Sequence, residues 1–389
     1  MIQPDSTIYS FLKNFLQKRE LFMSSHRSIS SPKKFIIAKD LLLDPSAYIN
    51  DLGHQALIIC DVFFLETVNS TTKCNLQKNH VAGVIEKFAG ECTQKEVDRL
   101  CAIREKNGCD VIVGIGGGKT LDAAKAVAYQ HKKPVVIVPT IASTDAPCTA
   151  LSVLYKENGE FDKYLFLPEN PDTVLADPNV LVKAPARFFS AGIGDALATY
   201  FEARACYGAD GLNLILRKPS ITGMAIAKLC FEQLKANVEQ AMISVENKVS
   251  SPAFEACLEA AIYSSGVGAE SGGLAAAHAV NNGMSVVPEL HRAQHGEKVV
   301  FGLLTQLVLE NAPQAELEEV IKIIKIAKLP LCLEDFGLTE WKEKDWRAVA
   351  EVACAEGDTM TNMVKKVTAN DVYDAMKIAD SLGKYYRDK

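Results

Sequence analysis

Short runs of β-branched residues alternate with helical stretches from residue 30 to about residue 185, and this alternation constrains the fold more than any other feature. Residues 56–60, 111–115 and 135–138 are too short and too rich in Val and Ile for helix cores, so they are predicted as buried strands. Helices are predicted between them, notably over 95–105 and 120–130. Alternating strands and helices indicate a mostly parallel sheet that is covered by helices on both faces.

A predicted hairpin interrupts this alternation. Residues 151–166 contain two β-rich runs on either side of Asn158-Gly159. This dipeptide is typical of a two-residue turn between antiparallel strands. We therefore predict a two-stranded hairpin at this point in the chain.

The pattern of residue types changes after residue 185. Strand-like runs are almost absent there, and apolar residues recur every three to four positions, as in 221–234 and 317–327. This period predicts helices with one buried face. The predicted organisation is a Rossmann-like α/β domain over residues 28–185, followed by an all-α domain over residues 186–389.

Residues 1–27 are interpreted as an N-terminal extension. They fit no export signal, because lysine and arginine side chains interrupt their apolar positions. Met23 offers an alternative start, in which case residues 1–22 precede the mature chain. The absence of an export signal leads us to expect a cytoplasmic protein.

Composition excludes several classes of protein. No run approaches the roughly 18 apolar residues of a membrane helix, so no membrane partner is expected. A net charge of −6 argues against a nucleic-acid surface, which usually carries a basic excess. No two of the 11 cysteines have C-x-x-C spacing, which excludes a zinc ribbon. They are interpreted as small buried residues in a reducing compartment.

A glycine-rich turn, GGGKT at 116–120, follows the predicted strand 111–115 and precedes a predicted helix. Backbone N–H groups converge at such a turn, and the helix dipole adds positive potential, so it can bind a phosphate. The spacing matches neither a P-loop nor G-x-G-x-x-G. A turn that is needed only for packing is the alternative.

Polar residues also follow two other predicted strands. PTIASTD at 139–145 places hydroxyl groups and a carboxylate where open α/β sheets bind ligands, although these residues can equally cap turns. Asp61 directly follows the strand 56–60. A carboxylate at this point can accept hydrogen bonds from both hydroxyls of an adenosine ribose, and an ordinary turn residue is the alternative.

Three histidines and one aspartate are candidate metal ligands. His278 stands among small apolar residues, where a buried imidazole needs a partner for each nitrogen, and a satisfied core histidine is the alternative. His291 and His295 have the i, i+4 spacing of one helical face, although the adjacent Gly296 makes a regular helix uncertain. Asp195 opens a predicted helix, where a favourable interaction with the helix dipole also explains it. No local spacing rule joins these residues.

Six longer motifs occur together in this order: GIGGGKTLDAAKA, PTIASTDAPCTALSVLY, APARFFSAGIGDALATYFEARA, ESGGLAAAHAVNNGM, HGEKVVFGLLTQLVLENAP and AEGDTMTNM. With these motifs the chain, from about residue 30 to 389, resembles the glycerol-oxidising members of the iron-containing (group III) alcohol dehydrogenase family. The resemblance implies a dehydroquinate-synthase-like architecture and the NAD-dependent, zinc-dependent oxidation of glycerol to dihydroxyacetone. It also implies a homo-oligomer, often an octamer.

The resemblance further implies roles for individual residues. Asp195, His278 and His295 would bind the metal, which is usually zinc, with iron as a possibility. Asp145 would contact the hydroxyl groups of glycerol. Nine residues would line the NAD groove: Gly117, Gly118 and Lys119 at the pyrophosphate, Asp61 at the adenosine ribose, and Thr140, Ser143, Thr149, Leu151 and Tyr155 along the remainder.

One motif departs from the pattern of the family. Members commonly show H-x-x-H-N-G, but residues 278–283 read HAVNNG, so Asn281 stands where a second histidine is common. This departure makes 1,2-propanediol or another small vicinal diol an alternative substrate. Two further alternatives are an NAD- and metal-dependent lyase similar to dehydroquinate synthase, and a nucleotide-binding protein that has lost its metal site.

Overall fold

The computed structural model describes residues 25–389. Most of the predicted extension, including Met23, lies outside the described residues. Its last residue, Arg27, donates a hydrogen bond of 2.6 Å from Nη1 to the carbonyl oxygen of Pro219. Among the described residues, no helix is both long enough and apolar enough to cross a membrane.

The strands of the described chain are β1 (Lys34–Ile37), β2 (Gln55–Cys60), β3 (Ala82–Lys87), β4 (Val111–Gly116), β5 (Val135–Pro139), β6 (Leu151–Tyr155), β7 (Phe161–Phe166) and β8 (Thr173–Ala176). Six of them form one sheet in the spatial order β1-β8-β5-β4-β2-β3, and every pairing in it is parallel. β6 and β7 form a separate antiparallel hairpin. The predicted parallel sheet and its three predicted strands are confirmed.

Helices cover both faces of the sheet, which is why β2 is apolar along most of its length. Leu57 and Ile59 belong to one buried cluster, whereas Ile58 and Cys60 belong to a second cluster on the other face. Successive side chains of a strand point to opposite faces, so a strand that is buried on both sides carries a continuous apolar run.

The α-helices of the described chain are α1 (Ser46–Asn50), α2 (Leu65–Thr67), α3 (Lys73–Lys78), α4 (Gln94–Lys106), α5 (Gly118–His131), α6 (Pro178–Leu181), α7 (Ala186–Gly208), α8 (Ile221–Asn247), α9 (Pro252–Leu258), α10 (Ser265–Gly272), α11 (Ala276–Gly283), α12 (His295–Glu310), α13 (Gln314–Ile326), α14 (Glu343–Ala353) and α15 (Ala369–Arg387). The π-helical segment Glu259–Ser264 joins α9 to α10. From α7 onward the regular elements are helices, as predicted, and α7 begins directly after Pro185.

The hairpin is confirmed, but the predicted two-residue turn is wrong. Residues 156–160 separate β6 from β7, and the backbone N–H of Lys156 donates to the carbonyl oxygen of Glu160 over 2.8 Å. Gly159 has a φ of +83°, but Asn158 has no positive φ. A type I′ turn requires positive φ at both central residues, so a longer loop replaces it.

The cysteines behave largely as interpreted from the sequence. All 11 are free thiols, and Cys74 is exposed while Cys354 is partly exposed. The remaining nine are buried, most of them among aliphatic side chains of the cores. They therefore act as small apolar residues.

Candidate metal centre and cofactor groove

Three helices bring the candidate ligands together. Asp195 lies within α7, His278 lies within α11, and His295 is the first residue of α12. α12 begins there because Gln294 and Glu297 form a reciprocal capping box.

The ligand atoms form a compact triangle. Asp195 Oδ1 lies 3.3 Å from His278 Nε2 and 3.2 Å from His295 Nε2. The two imidazole Nε2 atoms are 3.3 Å apart. For metal–ligand bonds of about 2.0 Å, a tetrahedral site places its ligand atoms roughly 3.3 Å apart. The triangle therefore fits three ligands of a tetrahedral ion.

Asp195 itself indicates that the cluster holds a cation. The residue is 2% exposed, and its Oδ1 atom is buried without a hydrogen-bond partner. A buried carboxylate oxygen that lacks a partner is costly, and a metal ion removes that cost. The side chain of His295 is 38% exposed, so the cluster is open on one side. A site with three protein ligands and one open side is typical of catalytic zinc.

Glu202 fixes the orientation of His278. Its carboxylate is fully buried on α7, and Oε2 lies 2.5 Å from His278 Nδ1. Its other oxygen accepts hydrogen bonds from the backbone N–H groups of Ala275 and His278, over 2.9 and 2.8 Å. A carboxylate that holds the Nδ1 proton leaves the lone pair of Nε2 for a metal.

The electrostatics of the cluster favour positive charge. Burial opposes protonation of His278, but the carboxylates of Glu202 and Asp195 together raise its pKa well above the ordinary value. Burial likewise opposes ionisation of Asp195, yet His295 and His278 lower its pKa below the ordinary range. Two buried carboxylates thus attract a cation to the position between the imidazoles.

Asp145 lies directly beside this cluster. Its backbone N–H donates to Asp195 Oδ2 over 3.3 Å. Its side chain accepts a hydrogen bond of 2.9 Å from the hydroxyl of Ser265, which in turn lies 2.9 Å from the hydroxyl of Thr199. Burial raises the pKa of Asp145, and the nearby charge of Asp195 raises it further. Asp145 is therefore a fixed hydrogen-bonding group whose backbone contacts the candidate metal cluster.

A candidate site for an anionic ligand lies where the strand order reverses. The chain moves from β2 outward to β3 and then returns to β4 on the other side of β2, which makes the carboxyl ends of β2 and β4 a topological switch point. Asp61 follows β2, and its backbone N–H donates to Ile115 of β4 over 2.9 Å. Gly117 caps α5 next to this point. Asp61 Oδ1 accepts a hydrogen bond from Phe63 N, so the residue also caps a turn.

Gly118, the first residue of α5, faces open space. A side chain at Gly118 would meet no atom within 4 Å, which leaves room for a phosphate at the helix N-terminus. Lys119 Nζ lies 2.6 Å from Glu91 Oε2 and 4.7 Å from the centre of the Tyr155 ring. The structure thus links the glycine turn to β6 through Lys119.

A buried lysine anchors the loop that carries the remaining groove residues. Lys125 of α5 is 1% exposed, and its Nζ donates to the carbonyl oxygens of Ala146, over 2.9 Å, and Leu151. Its charge is paired with Asp122, whose Oδ1 lies 2.9 Å away. Thr149 stands within this loop and donates to Ala146 O. The pair thereby fixes the path of the chain between Asp145 and β6.

Thr140 and Ser143 lie between the glycine turn and Asp145. The backbone N–H of Thr140 donates to Gly116 O over 3.0 Å, so the end of β5 is next to the turn. Thr140 is buried, whereas Ser143 is partly exposed. The end of β5 therefore brings Thr140 beside the glycine turn.

Sequence reasoning also missed or misplaced several residues. The predicted i, i+4 pair of His291 and His295 is wrong, because a break at Ala293 separates a short 3-10 helix from α12, and His291 instead contacts Ser285 O. Glu202 was not identified, although it follows Asp195 by seven residues on the same helical face.

Comparison with known proteins decides the family. Residues 32–178 match the family model described as iron-containing alcohol dehydrogenase. The chain is 49% identical to a glycerol dehydrogenase of Pseudomonas putida over 360 residues, which cover 92% of this chain and 99% of that relative. The chain belongs to the iron-containing alcohol dehydrogenase family.

Solved structures of similar proteins agree with this membership. A probable glycerol dehydrogenase of Sinorhizobium meliloti 1021 matches with a TM-score of 0.86 at 38% identity, over 92% of this chain and 99% of that one. A glycerol dehydrogenase of Schizosaccharomyces pombe matches with a TM-score of 0.88 at 33% identity, over 94% and 93% of the two chains. This member of the family thus shares its fold with these proteins along nearly the whole described chain.

Proposed function

We propose that this protein oxidises glycerol to dihydroxyacetone with NAD, reversibly and with the aid of zinc. The observation that supports the proposal is the hydrogen bond from the backbone N–H of Asp145 to Asp195, one of three residues that could hold a metal ion. The relatives named glycerol dehydrogenase, at up to 49% identity in the comparison above, support the same substrate.

Asp195, His278 and His295 are proposed to hold the metal. Zinc is favoured over iron because three nitrogen and oxygen ligands at these separations suit a tetrahedral ion with one open position. Iron(II) is the alternative and commonly takes a larger number of ligands.

NAD is proposed to occupy the groove that starts at Asp61. Asp61 Oδ2, which makes no hydrogen bond to the described residues, is available for the adenosine ribose. The helix N-terminus at Gly117 and Gly118, with Lys119, would bind the pyrophosphate. Thr140, Ser143, Thr149, Leu151 and Tyr155 would line the remainder of the groove.

The reaction then uses groups that the protein holds in place. When bound, the metal supplies Lewis acidity that lowers the pKa of a substrate hydroxyl, and NAD supplies the hydride acceptor. Asp145 orients a second hydroxyl of the substrate, while Ser265 holds the Asp145 carboxylate in position. Glu202 keeps the proton of His278 on Nδ1 throughout.

We further propose a division into two domains at residue 185, a cytoplasmic location and a homo-oligomer, with an octamer as the specific expectation. The division rests on the change from alternating strands and helices to helices alone at Pro185. Light scattering of the purified protein measures the oligomer size directly.

One substrate and metal panel tests the function. The metal-free protein is reconstituted with zinc or with iron(II) under anaerobic conditions, and NADH formation is followed with glycerol, with 1,2-propanediol and without a substrate. We expect glycerol-dependent NADH formation that a chelator abolishes and zinc restores. Absence of NADH with every metal and both polyols would refute the proposal. If kcat/KM were higher for 1,2-propanediol than for glycerol, 1,2-propanediol would be assigned as the substrate instead.

A further inference from the structure

The ammonium group of Lys119, which is proposed above to bind the pyrophosphate of NAD, is held by two side chains of the protein itself. Its Nζ atom forms an ion pair of 2.6 Å with Glu91 Oε2 and lies 4.7 Å from the centre of the Tyr155 ring. The side chain of Lys119 is 48% exposed, so a ligand can reach it from solvent. The positive charge beside the glycine turn is therefore accessible but already paired.

The backbone around Glu91 is firmly anchored. Glu91 Oε1 accepts a hydrogen bond of 3.1 Å from the backbone N–H of Cys92, which leaves Oε2 to face Lys119. Cys92 is buried, and its carbonyl oxygen accepts a hydrogen bond of 2.9 Å from the backbone N–H of Tyr155 in β6. Thr93 then caps α4. Because Glu91 is held by these contacts, its ion pair with Lys119 costs less side-chain entropy than a pair between two freely moving side chains.

A phosphate at Lys119 has to compete with this carboxylate. The lysine ammonium group binds phosphate as a single point charge. While the ion pair is intact, a phosphate oxygen hydrogen-bonded to Nζ would lie within about 5.5 Å of Glu91 Oε2. This separation is shorter than the Debye length of about 8 Å at physiological salt, so the two negative charges repel each other. The phosphate must either separate Lys119 from Glu91 or bind against this repulsion.

We propose that Glu91 lowers the affinity of the protein for NAD and NADH by competing with their pyrophosphate for Lys119. This inference rests on the proposed function, in which the glycine turn and Lys119 bind the pyrophosphate. Glu91 pairs with Lys119 until a phosphate of the cofactor takes its place. Glu91 is thus a residue that determines cofactor affinity, and its removal strengthens binding.

The test measures binding of NADH and of ADP-ribose to the zinc-loaded protein by titration calorimetry, at about 0.15 M salt. Glu91→Gln keeps the shape of the side chain and an acceptor for Cys92 N, but it removes the charge. We expect both dissociation constants to fall about threefold to fivefold, since an exposed ion pair contributes up to about this factor to an equilibrium constant. Glu91→Ala should change both constants in the same direction.

Glu157→Gln is the matched control, because it removes the same charge from the loop between β6 and β7. The side chain of Glu157 is 64% exposed and pairs with Lys95, at 3.9 Å, rather than with Lys119. We expect its dissociation constants to stay within about 1.5-fold of the wild type, because solvent and salt screen an exposed charge. An equal gain in Glu157→Gln and Glu91→Gln would overturn the inference, and so would unchanged or weaker binding by folded Glu91→Gln and Glu91→Ala.

A double-variant cycle tests whether Glu91 acts through Lys119. Lys119→Met should weaken binding of NADH, and adding Glu91→Gln to it should change the dissociation constant less than Glu91→Gln changes it in the wild type. An equal effect of Glu91→Gln in both backgrounds would exclude competition for Lys119.

These binding measurements need no turnover, which separates the inference from the proposed function. If the wild type binds NADH but oxidises no polyol, the proposed activity fails, and the affinity of Glu91→Gln still decides the role of Glu91. If the wild type oxidises glycerol and Glu91→Gln binds NADH with equal affinity, the inference fails alone. If the wild type binds neither NADH nor ADP-ribose, both fail.

Discussion

Replacement of Glu202 by glutamine is the sharpest test of the metal centre. One oxygen of Glu202 accepts from two backbone N–H groups, and the other faces His278 Nδ1 at 2.5 Å. Glutamine has the same shape but only one oxygen. If that oxygen keeps the backbone contacts, the side-chain NH2 group faces Nδ1 and forces the His278 proton onto Nε2. The nitrogen that points at the metal position then carries a proton and cannot act as a ligand.

The alternative orientation of the glutamine amide is also energetically unfavourable. Its oxygen would then hold the Nδ1 proton, and its NH2 group would oppose the backbone N–H groups of Ala275 and His278. A buried donor without an acceptor costs about 1–3 kcal/mol. Substitutions of groups that support metal ligands lower metal affinity by roughly 10–100-fold, which corresponds to about 1.4–2.8 kcal/mol. We expect a loss of zinc affinity within this range for Glu202→Gln.

Zinc affinity is measured by competition with a chromophoric chelator, so the assay needs no enzymatic turnover. Glu318→Gln is the matched control, because it removes the same charge from the surface of α13, where Glu318 accepts from Gln314 and Tyr386. Circular dichroism confirms that each variant is folded. A folded Glu202→Gln protein with the zinc affinity of the wild type would refute the assigned role of Glu202.

Three single variants and one double variant probe the rest of the site. Asp61→Gly should shift the ratio of kcat/KM values from NAD towards NADP, since Asp61 would repel a 2′-phosphate, and an unchanged ratio would contradict its role at the ribose. Asp195→Asn should abolish zinc binding, as measured by metal analysis after dialysis, whereas full retention of zinc would exclude Asp195 as a ligand. Lys125→Met should lower stability by about 3–5 kcal/mol in denaturant unfolding, because Asp122 keeps a buried charge without its partner. Lys125→Met combined with Asp122→Leu should recover part of that loss, since the carbonyl oxygens of Ala146 and Leu151 still lack the donor that Lys125 supplies, and no recovery would show that the ion pair is not the cause.

The fold was largely predictable because the period of the apolar residues differs between its two halves. The strand 56–60 and the helix 120–130 were predicted from their residue types, and both are found as β2 and α5. The hairpin turn was predicted less well, since Asn158-Gly159 permits a type I′ turn without requiring one. Local sequence therefore identified the elements, whereas the φ of Asn158 depended on how β6 and β7 pair.

The candidate site could be predicted less completely than the fold from local sequence patterns. Asp195, His278 and His295 come from three helices, so no single spacing joins them, and their grouping was inferred from the resemblance of whole motifs. Glu202 carried a usable signal, because two acids seven residues apart share one face of a helix that is rich in apolar residues. Ser265 carried none. Its hydroxyl acts on Asp145 only because α10 and the loop after β5 meet in space.

Close contacts between helix backbones require glycine at two positions within the motif HGEKVVFGLLTQLVLENAP. A Cβ atom at Gly296 would lie 1.8 Å from Ala191 O, so α12 can approach α7 only with glycine next to the candidate ligand His295. A Cβ atom at Gly302 would lie 2.1 Å from Ala277 O, which sets the same requirement between α12 and α11 next to His278. At both positions the neighbouring helix backbone is too close for any side chain larger than glycine. The separations of 3.2 and 3.3 Å between the candidate ligand atoms depend on this close packing. The two glycines therefore belong to the candidate metal centre, because they determine the distance between the helices that carry its proposed ligands.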